Sequence, residues 1–515
     1  MKKLYSNHLL KGIGKTLLVL TFIGFVSSQA FSQRVVQVPT GTELSSVILG
    51  DTTANGDPVD PNTIYELEMN GLYPVAKEIN ITWTLHLRAG EGEGFLPFIY
   101  AQKDESNNYP KVINTHGDVI LERIHLSNAN GQDANPKWGG FRVGGTNSRV
   151  ILTGCLFEYD KASSVQIRAD SIKLYMTDCV AGKTGNYAAY NGNGRLVDTR
   201  GYYVDTIVIK NVTAYYMQDR IIRNMGGEIK YFEMDHVTVV NNQGFHGTIA
   251  MAKVHHAKIT NNLLINAQYG GDRLDDPEQT GPWPDKHHIY MITMDTIFED
   301  SELEIHHNNF AFTQDLIDFF NSIDTVWKPM VLAPTVAQVL GSDSTNAYFE
   351  EVVEFQNMPG LPWDFINAMY ADPQPNPMPN NWPDDIGIEN VNAAYAHSYQ
   401  SYTAGEDGKP LGDLKWFPEW NGIKTHNGNV VAGTSVYPNP VSDFATFGYQ
   451  LKTSTDVQLV IFSITGQKVK TVHLGYQTKG QHVSRVNLED LPSGIYLYGL
   501  GNNSQMSYGK VIINK

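Results

Sequence analysis

Arginine, aspartate and histidine side chains coincide when the sequence is aligned with itself at a spacing of 25 residues. The alignment superimposes Arg195 on Arg220 and Asp198 on Arg223 and Thr248, and it brings His246 into the same predicted strand. A guanidinium fork matches a carboxylate through two hydrogen bonds, so stacked arginines can clamp a sugar carboxylate. An arginine with a lowered pKa could also remove the proton next to that carboxylate, as β-elimination requires. Arg195, Arg220, Arg223, Asp198 and His246 are therefore the candidate catalytic residues.

A purely structural interpretation of the same residues remains open. The arginines could be solvated residues on one face of the protein, paired with Asp198 and Asp219. Apolar and charged residues mix on both alternating faces of these strands, so the sequence does not decide which face is buried.

An acidic insertion provides a second candidate site. It carries four carboxylates within seven residues: Asp272, Asp275, Asp276 and Glu278. Carboxylate oxygens are calcium ligands, so the sequence predicts a calcium site here, although the spacing is not that of an EF-hand. Trp283 of the same insertion is a candidate substrate contact. The alternative is a solvated acidic loop.

A third candidate lies upstream, where Trp138 precedes two glycines and Arg142. The indole could present a flat face to a pyranose ring and Arg142 a charge, or the tryptophan could cover the edge of a core. Histidines also occur in adjacent pairs, as at 306 and 307. Neighbouring residues on a strand point to opposite faces, so no such pair is expected to form a metal site by itself.

These residues sit in a repeating pattern of short apolar strands and polar turns. Two consecutive spacings of 25 residues align Ile209, Met234 and Ile259 without a gap, as they do Val204, Ile229 and Val254. A unit of this length holds three short strands, which predicts one rung of a parallel β-solenoid. An antiparallel sandwich gives no reason for a register kept over three rungs.

Polar residues follow each strand at a fixed position. They are Asp178, Asn211, His236, Asn261 and His307, and they resemble the polar ladder of right-handed parallel β-helices. Cys155 and Cys179 are predicted to stack on adjacent rungs, either as a disulfide or as a reduced buried pair. Residues 79–90 resemble the first rungs of the pectate-lyase-like superfamily. That resemblance implies a binding groove, an arginine or lysine base and often a carboxylate-bound calcium.

The two ends of the chain carry targeting signals. Four lysines, a short apolar run and Ala30-Phe31-Ser32 are typical of a secretory signal peptide. The marks near the other end are Tyr437-Pro438-Asn439-Pro440, a Gly466-Gln467 turn, Ser493-Gly494-Ile495-Tyr496 and a terminal lysine. Together they resemble the C-terminal sorting domain of the Bacteroidota type IX secretion system. The resemblance implies interaction with that secretion machinery, export across the outer membrane, and release or anchoring at the cell surface.

Five segments follow from these patterns: a signal peptide (1–32), the parallel β-helix (33–310), a capping or lid region (311–421), a linker (422–433) and the sorting domain (434–515). We expect an all-β protein with a small C-terminal β-sandwich and no membrane span. Residues 33–433 hold 27 basic and 50 acidic residues, a net charge of −23. Such a body disfavours a nucleic-acid partner. An acidic polymer would require a local basic strip or bridging calcium.

The sequence thus predicts a secreted or surface-anchored protein that acts on or binds polysaccharide. The most specific form of this prediction is a lyase that cleaves uronic-acid glycans by β-elimination, with calcium as the expected cofactor. The alternative is a non-catalytic, glycan-binding or adhesin-like solenoid.

Overall fold

The computed structural model describes residues 33–103, 109–128, 141–185, 193–244, 246–269, 290–323, 330–369, 382, 386–420, 431–439, 441–451, 453–463, 468–502 and 506–515. Parallel strands dominate the body, and antiparallel strands form the C-terminal domain. The predicted parallel β-helix is therefore confirmed.

The body contains 25 solenoid strands within the described residues. They are β1 (Val35–Val38), β2 (Ile64–Leu67), β3 (Leu72–Val75), β4 (Leu85–Ala89), β5 (Phe98–Ala101), β6 (Ile113–Thr115), β7 (Val119–Glu122), β8 (His125–Ser127), β9 (Phe141–Val143), β10 (Arg149–Thr153), β11 (Leu156–Glu158), β12 (Ser163–Ile167), β13 (Ile172–Thr177), β14 (Val180–Thr184), β15 (Arg195–Asp198), β16 (Val204–Met217), β17 (Ile222–Arg223), β18 (Glu228–Val240), β19 (Ile249–Ala250), β20 (Lys253–Thr260), β21 (Leu263–Ile265), β22 (Tyr290–Thr293), β23 (Glu302–His306), β24 (Asn309–Ala311) and β25 (Met330–Leu332).

The rungs build three parallel stacks of strands. The first sheet runs β1-β2-β4-β7-β10-β13-β16-β18-β20-β23, and the second runs β3-β5-β8-β11-β14-β16-β18-β21-β24. The third runs β6-β9-β12-β15-β17-β19-β22-β25. The long strands β16 and β18 turn the corner between the first two sheets and belong to both. Because β25 pairs with β22, solenoid pairing continues past residue 310.

Apolar residues stack from rung to rung inside the solenoid. One column of the first sheet holds Leu87, Leu121, Leu152, Met176, Ile209, Met234, Ile259 and Ile305, each at most 2% exposed. Burying such a side chain contributes about 1.5–3 kcal/mol, and each rung gains it only when its neighbour is present. The predicted register of Ile209, Met234 and Ile259 is confirmed.

The corner between the first and second sheets explains the polar ladder. Asp178, Asn211, His236, Asn261 and His307 all have φ between 50° and 61°, in the left-handed region. Asn and Asp tolerate this region better than most residues, which accounts for the residue types found there.

The two cysteines lie next to this corner as free, buried thiols. The Cys155 N–H lies 3.4 Å from Cys179 Sγ, and the thiols of Cys155 and Cys179 donate to the carbonyls of Leu121 and Thr177. Burial raises the pKa of the Cys179 thiol well above its usual range. Of the two predicted states, the structure has the reduced stacked pair.

The ends of the solenoid are covered by irregular structure and short helices. Helix α1 (Leu44–Gly50) lies between β1 and β2. Beyond β24 the chain forms α2 (Gln314–Ile323), α3 (Pro334–Leu340), α4 (Trp363–Met369), and the antiparallel pair β26 (Phe355–Asn357) and β27 (Asn392–Tyr395). The described part of this region also contains five short 3-10 turns: Gly341–Asn346, Ile388–Asn390, Gln400–Tyr402, Glu406–Gly408 and Leu414–Trp416. Tyr216 donates to the Gly360 carbonyl, and Asn241 to the Pro359 carbonyl. The capping region therefore packs against the solenoid where the strands of the second sheet end.

The C-terminal domain is a small two-sheet unit with its own core. Its strands are β28 (Val431–Tyr437), β29 (Phe444–Leu451), β30 (Thr455–Ser463), β31 (Lys468–Gln477), β32 (Gly480–Asn487), β33 (Gly494–Gly501) and β34 (Met506–Ile513). They pair antiparallel as β28-β29-β32 and β31-β30-β33-β34. This agrees with the predicted β-sandwich.

A buried aspartate, Asp160, should make the stability of the solenoid depend on pH. Asp160 is fully buried beyond β11, where Asn128 donates to it, and burial raises its pKa to about 7. The folded state therefore holds a proton that the unfolded chain releases near pH 4. We expect the melting temperature to fall as pH rises from about 4 through 7.

Substitution of Asp160 tests this expectation. Asp160→Asn should flatten the fall in melting temperature and be more stable than the parent above pH 7. Asp57→Asn, at an exposed site, serves as the control. The same pH profile in Asp160→Asn and the parent would show that Asp160 does not cause the fall.

Candidate functional site

The candidate catalytic residues come together on the third sheet. Arg195 begins β15, and its Nε donates to Asp219 Oδ2 at 2.8 Å while Nη1 lies 3.6 Å from Asp198 Oδ2. Arg220 donates from Nε to Asp219 Oδ1 at 3.1 Å. Asp219 and Asp198 are fully buried, and Arg195 is only 4% exposed. Arginines paired with Asp198 and Asp219 are what the structural alternative predicted. Because Arg195 is buried in these pairs, a polymer cannot reach it.

Asp219 is the centre of this group. Burial alone would raise its pKa, but Arg220, the hydrogen bond from His246 and Arg195 together hold that pKa well below its usual range. The carboxylate therefore stays ionised, which suits a group that accepts hydrogen bonds from three cationic or basic side chains.

His246 approaches the group from a turn and not from the strand. Its Nδ1 lies 3.0 Å from Asp219 Oδ1, and 41% of its side chain is exposed. The predicted alignment was wrong at this rung: Arg223 pairs with Ala250 and not with Thr248, and the main chain of Ile221 bonds to Thr248. The turn before β19 is two residues longer than the turn before β17, so the gapless alignment fails here.

Asp198 holds a second set of cations. Arg223 Nη1 lies 3.4 Å and Arg200 Nη1 3.8 Å from Asp198 Oδ2, and the Arg200 main-chain N–H donates to Oδ1 at 3.1 Å. Burial, with the nearby charges of Arg195 and Arg220, lowers the pKa of Arg223 to about 10, although Asp198 and Asp219 oppose the shift.

Arg142 belongs to the same surface, which the sequence did not show. Along the third sheet Arg142 pairs with Gln166, Gln166 with Asp198, and Asp198 with Arg223. Gln166 Oε1 accepts hydrogen bonds from both Arg142 and Arg168, each at 3.1 Å. We call Arg142, Arg168, Arg200 and Arg223 the arginine strip.

The strip concentrates positive charge on an acidic body. Burial lowers the pKa of Arg142, and the charges of Arg168 and Arg200 lower it further, against Glu78. Burial also lowers the pKa of Lys111, with Arg142 as the next cause. Within the described part of the chain, neither Arg142 nor Arg168 has a carboxylate within 4.0 Å. A cluster of partly desolvated cations that repel one another is stabilised by an anion.

Six sequence-predicted residues lie outside the described residues. They are Trp138 and Trp283, the candidate substrate contacts, and Asp272, Asp275, Asp276 and Glu278, the candidate calcium ligands. They stay predictions.

A cleft of about 1000 Å³ lies elsewhere, between the first corner and the capping region. Its lining includes Phe95, Trp416 and Trp420 beside Arg123 and Asp178. Hydrogen bonds fix the two indoles: Trp416 Nε1 donates to Thr213 at 2.7 Å and Trp420 Nε1 to Tyr402 at 3.2 Å. Aromatic walls with a few charged groups are typical of small-ligand clefts. The capping region thus builds a concave surface whose lining contains no arginine of the strip.

Comparison with known families addresses the C-terminal domain. Residues 435–514 match the model of the secretion system C-terminal sorting domain. These residues form a type IX sorting domain. The sorting domain marks the protein for export, so the protein is secreted or anchored at the cell surface, and it interacts with the type IX secretion machinery. No curated protein matches the chain. Within the described residues, no helix is long and apolar enough to cross a membrane.

Proposed function

We propose that this exported protein binds an acidic polysaccharide along the arginine strip. The observation that carries the proposal is a row of clustered arginines on one face of a body whose net charge is −23. Guanidinium groups recognise carboxylates through paired, charge-assisted hydrogen bonds. The strip is thus the local basic surface that an acidic polymer needs.

The spacing of the strip favours a polymer over a small anion. Arg142 and Arg223 are three rungs apart, which corresponds to about 14 Å at the usual strand separation. Arg168 and Arg200 lie on the intervening rungs. One small carboxylate cannot contact both ends, whereas an extended chain of uronic acids lying across the rungs can.

Removing the central charges should weaken binding. In the double variant Arg142→Gln and Arg168→Gln, two arginines lose their charge that have no carboxylate within 4.0 Å among the described residues, while the ion pairs of Asp198 and Asp219 stay intact. Charge-assisted hydrogen bonds contribute about 1.5–3 kcal/mol each, so affinity should fall at least about tenfold. Calorimetric titration with polygalacturonate and alginate, with and without calcium, measures the effect and tests whether calcium contributes to binding.

Arg149→Gln is the matched control, because Arg149 is 59% exposed and pairs with Asp118 on the first sheet. It should bind as the parent does, and parental binding should weaken as salt rises. Unchanged affinity in the double variant would show that the arginine strip does not bind the polysaccharide. The cleft lined by Trp416 and Trp420 would then be the next site to test.

A second candidate function is β-elimination of the bound glycan, and the Asp219–His246 pair favours it. A buried carboxylate that accepts from Nδ1 fixes the histidine tautomer, so that the neutral ring carries its lone pair on Nε2, as a general base requires. His246 would remove the proton from the carbon that bears the carboxylate. The electron pair of that C–H bond forms a carbon–carbon double bond as the bond between the β-carbon and the glycosidic oxygen breaks. The leaving oxygen takes up a proton from solvent.

A further inference from the structure

Two adjacent histidines converge where β23 ends. His307 has φ 53°, in the left-handed region, so the alternation of a regular strand is broken between it and His306. The two Nδ1 atoms are 2.7 Å apart, with ring centroids separated by 4.8 Å and ring planes at 85°. The expectation that an adjacent pair points to opposite faces is therefore wrong here, because it assumed that both residues lie on a strand.

The capping region brings a carboxylate to this pair. Glu406 begins a 3-10 turn, and its Oε1 lies 4.0 Å from His306 Nδ1. The turn is attached to the solenoid because the Glu406 N–H donates to Asn261 Oδ1 at 2.8 Å, while the Asn261 amide donates to Asp235 at 2.8 Å. One ligand atom from each of His306, His307 and Glu406 lies within 4.8 Å of the other two.

We propose that His306, His307 and Glu406 bind a zinc-type divalent cation that ties the capping region to the last rungs of the solenoid. Zinc bonds to histidine nitrogen and carboxylate oxygen at about 2.0–2.2 Å, which separates tetrahedral ligands by roughly 3.3 Å. The observed 2.7 Å and 4.0 Å bracket that value, and the remaining pair, His307 and Glu406, lies within 4.8 Å, so side-chain rotations can bring the three atoms onto one ion. Binding of the cation would replace the 2.7 Å contact between the two Nδ1 atoms and release the proton of that hydrogen bond to solvent.

The donor set selects the class of metal. Two imidazole nitrogens favour zinc, copper or nickel over calcium and magnesium, which prefer all-oxygen sites. The side chains of His306 and Glu406 are 36% and 43% exposed, which leaves room for water as a fourth ligand. Lys258 repels a cation here, and its strand neighbour Glu304 offsets that charge.

The chain offers a substitution at His307 that preserves the turn. Asparagine occupies the same corner position at 211 and 261 with positive φ, so His307→Asn removes one ligand and keeps a residue suited to the backbone. Glu406→Gln removes the carboxylate charge and keeps the main-chain bond to Asn261. His397→Ala is the matched control, because His397 pairs with Glu419 at 3.6 Å on an exposed surface, apart from the proposed ligands.

Calorimetric titration of the full chain with zinc chloride tests the proposal. We expect one tight site in the parent and in His397→Ala. In His307→Asn and Glu406→Gln, affinity should fall at least about 100-fold, since loss of an outer-shell partner alone costs about 10–100-fold. Cobalt, used as a spectroscopic probe, should give visible absorption bands that both ligand variants lose.

A structural readout separates the site from adventitious zinc. Zinc should protect main-chain amides of residues 400–413 from hydrogen exchange in the parent, and should not do so in His307→Asn. Equal zinc affinity in all four proteins, or a tight site without this protection, would overturn the proposal.

Discussion

Replacing Asp219 with alanine is expected to destabilise the solenoid by about 3–5 kcal/mol, the cost of removing one partner from a buried ion pair. Asp219 is fully buried and accepts hydrogen bonds from Arg195, Arg220 and His246. Arg195 is itself only 4% exposed, so the substitution takes away the carboxylate to which its Nε donates, while Asp198 lies 3.6 Å away. Urea unfolding followed by circular dichroism measures the loss.

The control for Asp219 is another aspartate that pairs with an arginine. Asp118 bonds to Arg149 at 3.0 Å, but the arginine side chain is 59% exposed. Exposed pairs contribute about 0–1 kcal/mol, so Asp118→Ala should unfold close to the parent. Equal losses in the two variants would show that the Asp219 group does not support the fold.

The contribution of Asp219 to stability should also depend on pH. The pKa of Asp219 is lower in the folded protein than in the unfolded chain, because Arg220, His246 and Arg195 favour its charged form. Its contribution to stability is therefore complete above about pH 4 and is lost as pH falls below that value. Asp219→Ala should lack this part of the acid-induced loss of stability.

The fold was accessible from sequence because a solenoid repeats one local pattern. Ile209, Met234 and Ile259 each satisfy the same burial requirement, so their spacing reports the rung length directly. The register failed where a turn changed length: two extra residues before β19 replaced Thr248 by Ala250 next to Arg223.

The sequence did not predict the arginine strip or the histidine pair, for different reasons. Loops of unequal length separate Arg142 from Arg223 in the chain, so no single period aligns them, although strand pairing places them in one column. At His306 and His307 the alternation of a strand was the wrong rule, because the second residue is a left-handed corner. The position of His307 in the polar ladder was the signal that could have corrected it. Glu406 comes from the capping region, where no repeat in the sequence predicts a register with the solenoid.

Replacing His246 is the decisive experiment on chemistry. If the protein is a lyase, His246→Asn should reduce elimination about 10²–10⁴-fold, the usual contribution of a general base. The measurement is the ultraviolet absorbance of unsaturated product from pectate, alginate, ulvan or glycosaminoglycans. Because 41% of the His246 side chain is exposed, the variant should melt close to the parent and still bind the glycan.

The pH profile distinguishes a base from a residue that only supports the site. A base must be neutral to accept the proton, so parental activity should rise with pH across the titration of one group, and the residual activity of His246→Asn should lack that limb. Arg149→Gln controls for a general change in surface charge. A fall in activity with an unchanged limb would assign the proton transfer to another group. Glycan binding without product from any polymer in the parent would instead establish the non-catalytic function.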